Sequence, residues 1–349
     1  MAHLEGTDAA AIGVDLGGTK VAAVLLSADG ACVADAEIPT AAARGVDAVA
    51  SDIFGLVADL GRLAAARGLE VQGVGLVSAG IVDPERGVLV AVTDTLAGLA
   101  GWHAGEQLAS GTGLAVKVLN DVQGMALAEQ RLGAGVGAAC ALYVAAGTGI
   151  GGALTRDGAL VLGAHGFAGD LGHIVVDLEP GAPRCACGRV GHLEAYASGP
   201  AIAAAYAAAT GGRPGQDLRI VAERAAAGET PARGVLASAA RVFGRGVGGL
   251  VNVVDPDKVV FGGGMAALDP ALFWDGVFAA LNAEVRGPVR PELSLAALGT
   301  RAAAVGAALV GLEAGGHPVA GATRQREGYD PGARPAEPAP PEHRERATR

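Results

Sequence analysis

Two glycine-bearing turns, "DLGGTK" at 15–20 and "GTGIGG" at 147–152, limit what this chain can become. The first lies among the strand-like runs "AAIGVDLGG", "TKVAAVLLSADG" and "ACVADAEI", the second between "CALYVAA" and "ALTRDGALV". Gly17-Gly18 and Asp29-Gly30 supply hairpin punctuation, the latter pair being a favoured two-residue turn. A β-hairpin with a glycine loop thus occurs twice, roughly 130 residues apart. That repetition predicts two related α/β halves facing each other across a cleft. Spacing further predicts a helix over about 46–67, an apolar strand over 71–80, a buried strand "LAVKVLND" and a helix "VQGMALAEQRLG". Later come a helix over about 234–250, a strand "KVVFGGGM" and a last helix near 302–313. From about residue 315 the chain is rich in proline and charge without periodicity, so 315–349 is expected to be a disordered tail.

A chain of 349 residues suits two domains, and 51% hydrophobic residues can fill their interiors. The net charge of −10 argues against nucleic acid or an anionic membrane as partner, because either favours a basic face. An uncharged stretch over 133–155 is a poor membrane span, since its seven glycines each cost about 1 kcal/mol of helix propensity. It reads instead as loop, buried strand and second loop. The N-terminus has neither a basic run nor an apolar core of the signal-peptide kind, so a cytoplasmic location is expected. Cysteines there do not form structural disulfides, and Cys32 and Cys140, in apolar runs, read as small core residues. Cys185 and Cys187 differ. In "CACGRVGHLE" (185–194) they precede His192 and Glu194, and His173 stands upstream in "GDLGHIVVD". From these residues alone a disulfide, a reactive thiol pair and part of a metal site all stay open.

The string "GTGIGG" matches a dinucleotide fingerprint, but that fingerprint must open a helix, and here a strand follows. Neither does any Walker sequence occur. The two loops are instead rich enough in glycine for backbone N–H groups to converge on an anion, and each carries a hydroxyl, Thr19 or Thr148. At matching places in two halves they would form opposing jaws on a polyphosphate. "VVFGGGM", with Gly263, supplies a third glycine turn. Lys20 at a strand start is either a phosphate contact or a solvent-facing residue. Asp121, between a buried strand and a helix, is either a general base facing the cleft or a helix N-cap.

Taken together, "DLGGTK", "LND", "GTGIGG", "GDLGH", "CACGRVGHLE" and "FGGGM" resemble the motifs of the ROK family of bacterial sugar kinases over about residues 10–313. The resemblance implies an α/β, actin-like (ribonuclease H-like) ATPase fold with two lobes around a central cleft. The lobes would span 1–122 and 123–300, the second carrying a zinc-binding loop, with a helix over 301–314 packing back on the first. It implies transfer of the γ-phosphoryl of ATP, with Mg²⁺, to a hexose hydroxyl, the 6-OH of glucose or a related hexose. Asp15 would stand near Mg²⁺, and Gly17, Gly18, Thr19, Lys20, Thr148, Gly149, Gly151 and Gly263 would form the nucleotide cradle. Asp121 would be the general base, with Asn120, Asp170, His173 and Glu194 holding the sugar. The resemblance also implies a structural Zn²⁺ on His173, Cys185 and Cys187, with His192 at the place of the family's third cysteine. Two cysteines and two histidines remain a normal tetrahedral shell. Such a zinc would pin the segments that present Asp170, His173 and Glu194. Small-molecule sugar and ATP are the implied partners, in a homodimer.

Departures from the family pattern bear on the substrate. Asp170 stands for a glutamate, Gly98 in "GLAGW" for an asparagine, and Ala79 for a proline. Losing a buried hydrogen-bond partner costs about 1–3 kcal/mol, so an amino sugar or N-acetylhexosamine is the alternative to plain glucose. A reading of another class is a catalytically weak sugar-sensing regulator. The family's repressors carry an N-terminal DNA-binding segment, for which "VDLGGTK" at residue 14 is expected to leave no room. A zinc hydrolase is disfavoured, because four protein ligands leave no open position for water.

Overall fold

The protein is described by a computed structural model over residues 8–212 and 217–317. In chain order it runs β1 (Ala9–Leu16), β2 (Lys20–Ser27), β3 (Cys32–Pro39), α1 (Val46–Ala66), β4 (Glu70–Ser78) and a short hairpin β5 (Ile81–Asp83) to β6 (Val88–Ala91). Then come α2 (Ala104–Thr112), β7 (Ala115–Asn120), α3 (Asp121–Leu132), β8 (Cys140–Ala146), β9 (Ile150–Arg156) and β10 (Ala159–Leu160). The chain continues through α4 (Glu194–Ala197), α5 (Gly199–Thr210), α6 (Leu218–Ala226) and α7 (Thr230–Val254). It closes with β11 (Lys258–Gly262), α8 (Trp274–Glu284), β12 (Glu292–Leu295) and α9 (Ala302–Ala314).

Two five-stranded sheets carry the same plan. The first is ordered β3-β2-β1-β4-β7 and the second β10-β9-β8-β11-β12. In each, the first three strands in sequence form an antiparallel meander and the last two add parallel to its first strand. The repeated hairpin of the sequence is therefore a repeated sheet. Asp29-Gly30 makes the expected turn, with Gly30 at φ 89° and its N–H on the Ser27 carbonyl at 2.9 Å. The expected single strand "ALTRDGALV" is instead split. Asp157 (φ 51°) and Gly158 (φ 79°) turn the chain between paired Arg156 and Ala159, an Asp-Gly hairpin turn of the kind that needs two positive φ angles.

The cysteine expectation needs correction. Cys32 is exposed and Cys140 only half-buried, because Cys32 lies on β3, an edge strand whose residues alternate toward solvent. All four cysteines are free. Spacing also passed over α2, α4, α5, α6 and α8. Helix α5, "GPAIAAAYAAAT", has almost no polar face to betray a helical period. The tail expectation falls mostly outside the described residues, which end at 317.

Outer cores lie under α1 and α2 in the first half and under α5 to α8 in the second. Along α1, Val49, Ile53, Leu56, Val57, Leu60 and Ala64 recur at helical spacing and form the buried stripe. The third core sits between the sheets and holds α3 and α9. It draws Ala11, Val24 and Val77 from the first sheet and Tyr143, Ala153 and Val260 from the second. Helix α9 is buried on nearly every side and approaches β1 and β4 backbone to backbone. A methyl group on Gly13, Gly73 or Gly75 would overlap backbone atoms of Ala304, Gly311 or Ala307 respectively. On its other side, Gly306 of α9 touches the Gly124 carbonyl of α3.

Near the end of α3 a buried carboxylate ties this layer together. Glu129 accepts N–H bonds from Ala134 (2.8 Å), Ala297 (3.0 Å) and Leu298 (2.8 Å), so it joins α3 to the approach of α9. Beside it Gln130 accepts the hydroxyls of Tyr143 (2.8 Å) and Thr155 (2.6 Å) and donates to the carbonyls of Gly135 and Ala138, both 3.2 Å. A buried polar cluster satisfied in this way fixes one arrangement of the elements it joins.

Gly75→Ala is expected to lower unfolding free energy by about 1–3 kcal/mol or more, since strand and helix must separate. Gly55→Ala, on an exposed face of α1 with open space around it, is expected to raise it by about 0.5–1 kcal/mol. Urea denaturation of both variants checks the pair.

Candidate active site

Parallel strands β1, β4 and β7 end at the same edge of the first sheet, with Asp15 opposite Val77 and Ser78 opposite Asn120. Open α/β sheets leave a crevice at such carboxyl ends. Two acids meet there, Asp15 near the end of β1 and Asp121 at the start of α3. The helix needs a cap, and Asn120 provides it. Its Oδ1 accepts the Val122 N–H at 2.8 Å, and Gln123 Oε1 reaches back to the Asn120 N–H at 3.2 Å. Asn120 Nδ2 also donates to the Gly80 carbonyl at 2.8 Å. Capping therefore does not require Asp121, whose Oδ1 accepts the adjacent Val122 N–H at 2.9 Å.

Burial makes both carboxylates hard to keep charged. Burial, and next the Asp121 charge, push Asp15 up to about 7, with Lys20 pulling the other way. Burial likewise raises Asp121, opposed by its hydrogen bonds to Val122, its own backbone N–H and Asn120. Both remain partly open to the cleft while surrounded by protein on the other sides. A divalent cation fits between such groups, because it would restore their charged forms.

The first glycine loop is closed by the Gly17 N–H on the Lys20 carbonyl (3.1 Å) and braced by Thr40, whose hydroxyl donates to the Gly17 carbonyl (2.6 Å) and whose N–H donates to the Thr19 carbonyl (3.0 Å). Thr95 packs directly on Gly18, where any Cβ would overlap its side chain. Lys20 forms an ion pair with Glu37 at 2.7 Å on an exposed surface. In the second loop the Gly147 N–H meets the Gly149 carbonyl at 2.9 Å. Gly151 lies against Val122, next to Asp121, where an added Cβ would come within 2.9 Å of Val122 Cγ2. Gly263, at φ 81°, abuts the Ala146 carbonyl, so the third glycine turn flanks the second loop. The Thr19 and Thr148 side chains are exposed.

His173, Cys185, Cys187 and His192 bring four ligand atoms within 4.8 Å of one another. His173 Nδ1 lies 3.6 Å from Cys185 Sγ and 3.3 Å from His192 Nδ1, which is 3.3 Å from Cys187 Sγ. The turn under Cys185 is held by its N–H on the Arg189 carbonyl (2.7 Å) and by the Gly188 N–H on its own carbonyl (2.9 Å). Burial pushes the Cys185 thiol up to about 11. Two thiols and two imidazoles in this space make a donor set suited to zinc. The other nitrogen of His173, Nε2, faces Asp170 Oδ1 at 3.8 Å, as a second carboxylate behind a ligating imidazole would. Glu194 lies between this cluster and the second glycine loop.

Thr95 and Gln123 were not singled out from the sequence. Gln123 joins the Asn120 cap to the Gly166 carbonyl, 3.1 Å away in the loop before Asp170. Its signal was present in the spacing Asn120-x-x-Gln123 of a capping box. Thr95 had no comparable signal.

Comparison with known proteins identifies the family and the fold. The sequence profile of the ROK family matches residues 11–314. The N-acetylmannosamine kinase of Escherichia coli is 34% identical over 253 residues, covering 72% of this chain and 82% of the relative. Among solved structures, the ROK hexokinase from Thermus thermophilus superposes with a TM-score of 0.78 at 34% identity, over 87% of this chain and 98% of the other. The ROK family glucokinase from Streptomyces griseus, in complex with glucose and AMPPNP, gives 0.72 at 28% identity, over 87% and 99%. The fold is the two-lobed, actin-like ATPase fold of these hexokinases.

Asp15 has a stability consequence. Its folded value of about 7 lies above the ordinary 3.8, so below pH ~4 it is protonated in both states and costs nothing. As pH rises through ~4 to ~7 the unfolded chain loses the proton first and folding stability falls. Asp15→Asn is therefore expected to stabilise the metal-free protein at pH 8 by on the order of 1–3 kcal/mol, with the gain vanishing toward pH 4. Denaturant midpoints at both pH values check this; a gain independent of pH contradicts it.

Proposed function

The chain belongs to the ROK family, and on that premise we propose that it is an ATP-dependent sugar kinase acting on a hexose, with Asp121 as the general base. The observation that carries the reading is the position of Asp121. It heads α3 where the parallel strands end, close enough to Asp15 for their charges to interact and next to Val122, which meets Gly151 of the second glycine loop, and its pKa is raised by burial.

A raised pKa makes a carboxylate a better proton acceptor near neutrality. In this reading Asp121 takes the proton of the sugar 6-hydroxyl as that oxygen bonds to the γ-phosphorus of ATP and the bond to the β-phosphate oxygen breaks. Sugar 6-phosphate and ADP result. Asn120, Asp170, His173 and Glu194 hold the sugar, and the loops with Gly17, Gly18, Thr19 and Lys20 and with Thr148, Gly149 and Gly151, flanked by Gly263, receive the nucleotide. Bound Mg²⁺ would neutralise phosphate charge, with Asp15 as the carboxylate nearest to it. A structural zinc would be held by His173, Cys185, Cys187 and His192, leaving no coordination position for water. The reading places the protein in the cytoplasm as a homodimer; among the described residues no helix is long and apolar enough to cross a membrane.

A second substrate reading is favoured by the identity to N-acetylmannosamine kinase and by Gly98, which is exposed with open space around it. An N-acetylhexosamine could use the room that a larger side chain would fill. Purified protein with ATP and Mg²⁺ should be tested on glucose, mannose, glucosamine, N-acetylglucosamine and N-acetylmannosamine. Turnover of one sugar is expected, and sugar binding without turnover would identify a sensor instead. Asp121→Asn is expected to lower kcat by about 10²–10⁴-fold without lowering the thermal unfolding temperature, since a buried acid of raised pKa is removed. Metal analysis is expected to give about one zinc per chain, reduced in His192→Ala; no zinc in the wild-type protein would sink the ligand assignment.

A further inference from the structure

Glu194, assigned above to the sugar only by resemblance, makes its direct contacts elsewhere. Its Oε2 accepts the backbone N–H of Ile150 at 2.9 Å. A methyl group built on Gly149 would stand 2.6 Å from the same oxygen, so the carboxylate lies flush against the loop backbone. Four residues on from Glu194, the Ser198 N–H bonds its carbonyl at 3.2 Å, and the next N–H, of Gly199, holds the Gly147 carbonyl at 2.8 Å. One short stretch of chain thus grips the second glycine loop at both ends, at Gly147 and at Ile150. The two grips bracket Thr148 and Gly149, the residues read as meeting the nucleotide. The other carboxylate oxygen, Oε1, lies 3.5 Å from Cys185 Sγ, so the same grip sits beside the His/Cys cluster.

We propose that Glu194 is a positioning residue for the nucleotide: its carboxylate holds the Gly149–Ile150 backbone in the conformation that receives phosphate. The proposal rests on the kinase reading and deepens it. A hydrogen bond from a backbone N–H to an ionised carboxylate is among the stronger ones, and glycines on either side would otherwise leave the loop many conformations. Fixing it in advance removes an ordering step from nucleotide binding. A residue that only contacted the sugar would have no effect on nucleotide affinity in the sugar's absence.

The test is binding of AMPPNP with Mg²⁺, without sugar, to the full metal-loaded chain and to Glu194→Ala and Glu194→Gln. The expected result is roughly tenfold weaker binding for Glu194→Ala with metal content unchanged. Glu194→Gln should stay within about twofold of wild type, because its amide oxygen can still accept the Ile150 N–H. Wild-type nucleotide affinity in both variants, with only the sugar KM raised, overturns the proposal. So does a loss in Glu194→Ala that accompanies loss of metal, or a loss in Glu194→Gln as large as in Glu194→Ala. Amide hydrogen exchange at Ile150 gives a readout independent of the kinase reading. Exchange about tenfold faster in Glu194→Ala and unchanged in Glu194→Gln supports the grip, even if the wild-type protein bound no nucleotide and the kinase reading failed. Should Glu194→Ala not fold, slow Ile150 exchange and near-native AMPPNP binding in Glu194→Gln support the proposal, and fast exchange there overturns it.

Discussion

Everything at the cleft depends on a seam without side chains. Gly13, Gly73 and Gly75 leave the backbones of β1 and β4 bare toward α9, and Gly124 and Gly306 do the same between α3 and α9. Two helices can therefore lie in the space between two sheets that would otherwise need a thicker layer. That closeness sets the geometry of chemistry at a distance. It places the end of β1, the start of α3 and the β8–β9 loop at one opening, because α3 touches the second half through Gly151 and Val122 while it follows directly from β7 of the first. Glu129 and Gln130 then lock the far end of the same helix to the approach of α9 and to β8 and β9.

A seam so tightly filled cannot relax to separate charges, which is why two acids can be held where both are hard to ionise. Asp15 and Asp121 are kept within reach of one another by strands and a helix whose positions are fixed elsewhere. Two buried acids in this position are what the proposed phosphoryl transfer would use, one near a cation and one as a base of raised pKa. Fold and chemistry draw on the same contacts.

Readability from the sequence followed the same division. Local turn chemistry announced the hairpins at Gly17-Gly18 and Asp29-Gly30, and their recurrence announced two sheets of one plan. The Asp157-Gly158 turn carried an equally clear signal that was passed over in favour of one continuous strand. The four metal-cluster residues were named through the family resemblance and meet in space. What stayed hidden was tertiary. Glu129 reads as an ordinary helix acid until its backbone partners, more than 160 residues away, are known. Cys32 looked apolar in context, but edge position decides exposure on a strand, and edge position is a property of the sheet. Thr95 meets Gly18 only because a loop after β6 folds over the first glycine turn.

The two halves share a topology but not a means of support for their loops. The first loop is braced by Thr40 and Thr95, side chains carried within its own lobe. The second is gripped by Glu194 and Gly199, which follow a segment with no regular strand or helix. Between Ile174 and His192 no regular strand or helix forms among the described residues, and the backbone is held by the isolated bridges Val175 to His192 and Arg184 to Val190 and by turn hydrogen bonds such as Val176 N–H to the Gly191 carbonyl at 2.8 Å. Val175, Leu178 and Val190 are exposed there, so apolar burial contributes little to holding this segment. A cross-link through four ligand atoms is an economical substitute for a core, since it fixes several points of a loop at once. The His173–Cys185–Cys187–His192 cluster sits where that substitute is needed, immediately before Glu194. A metal held there would give a lobe that presents a glycine loop from beside an irregular segment the support its core does not supply.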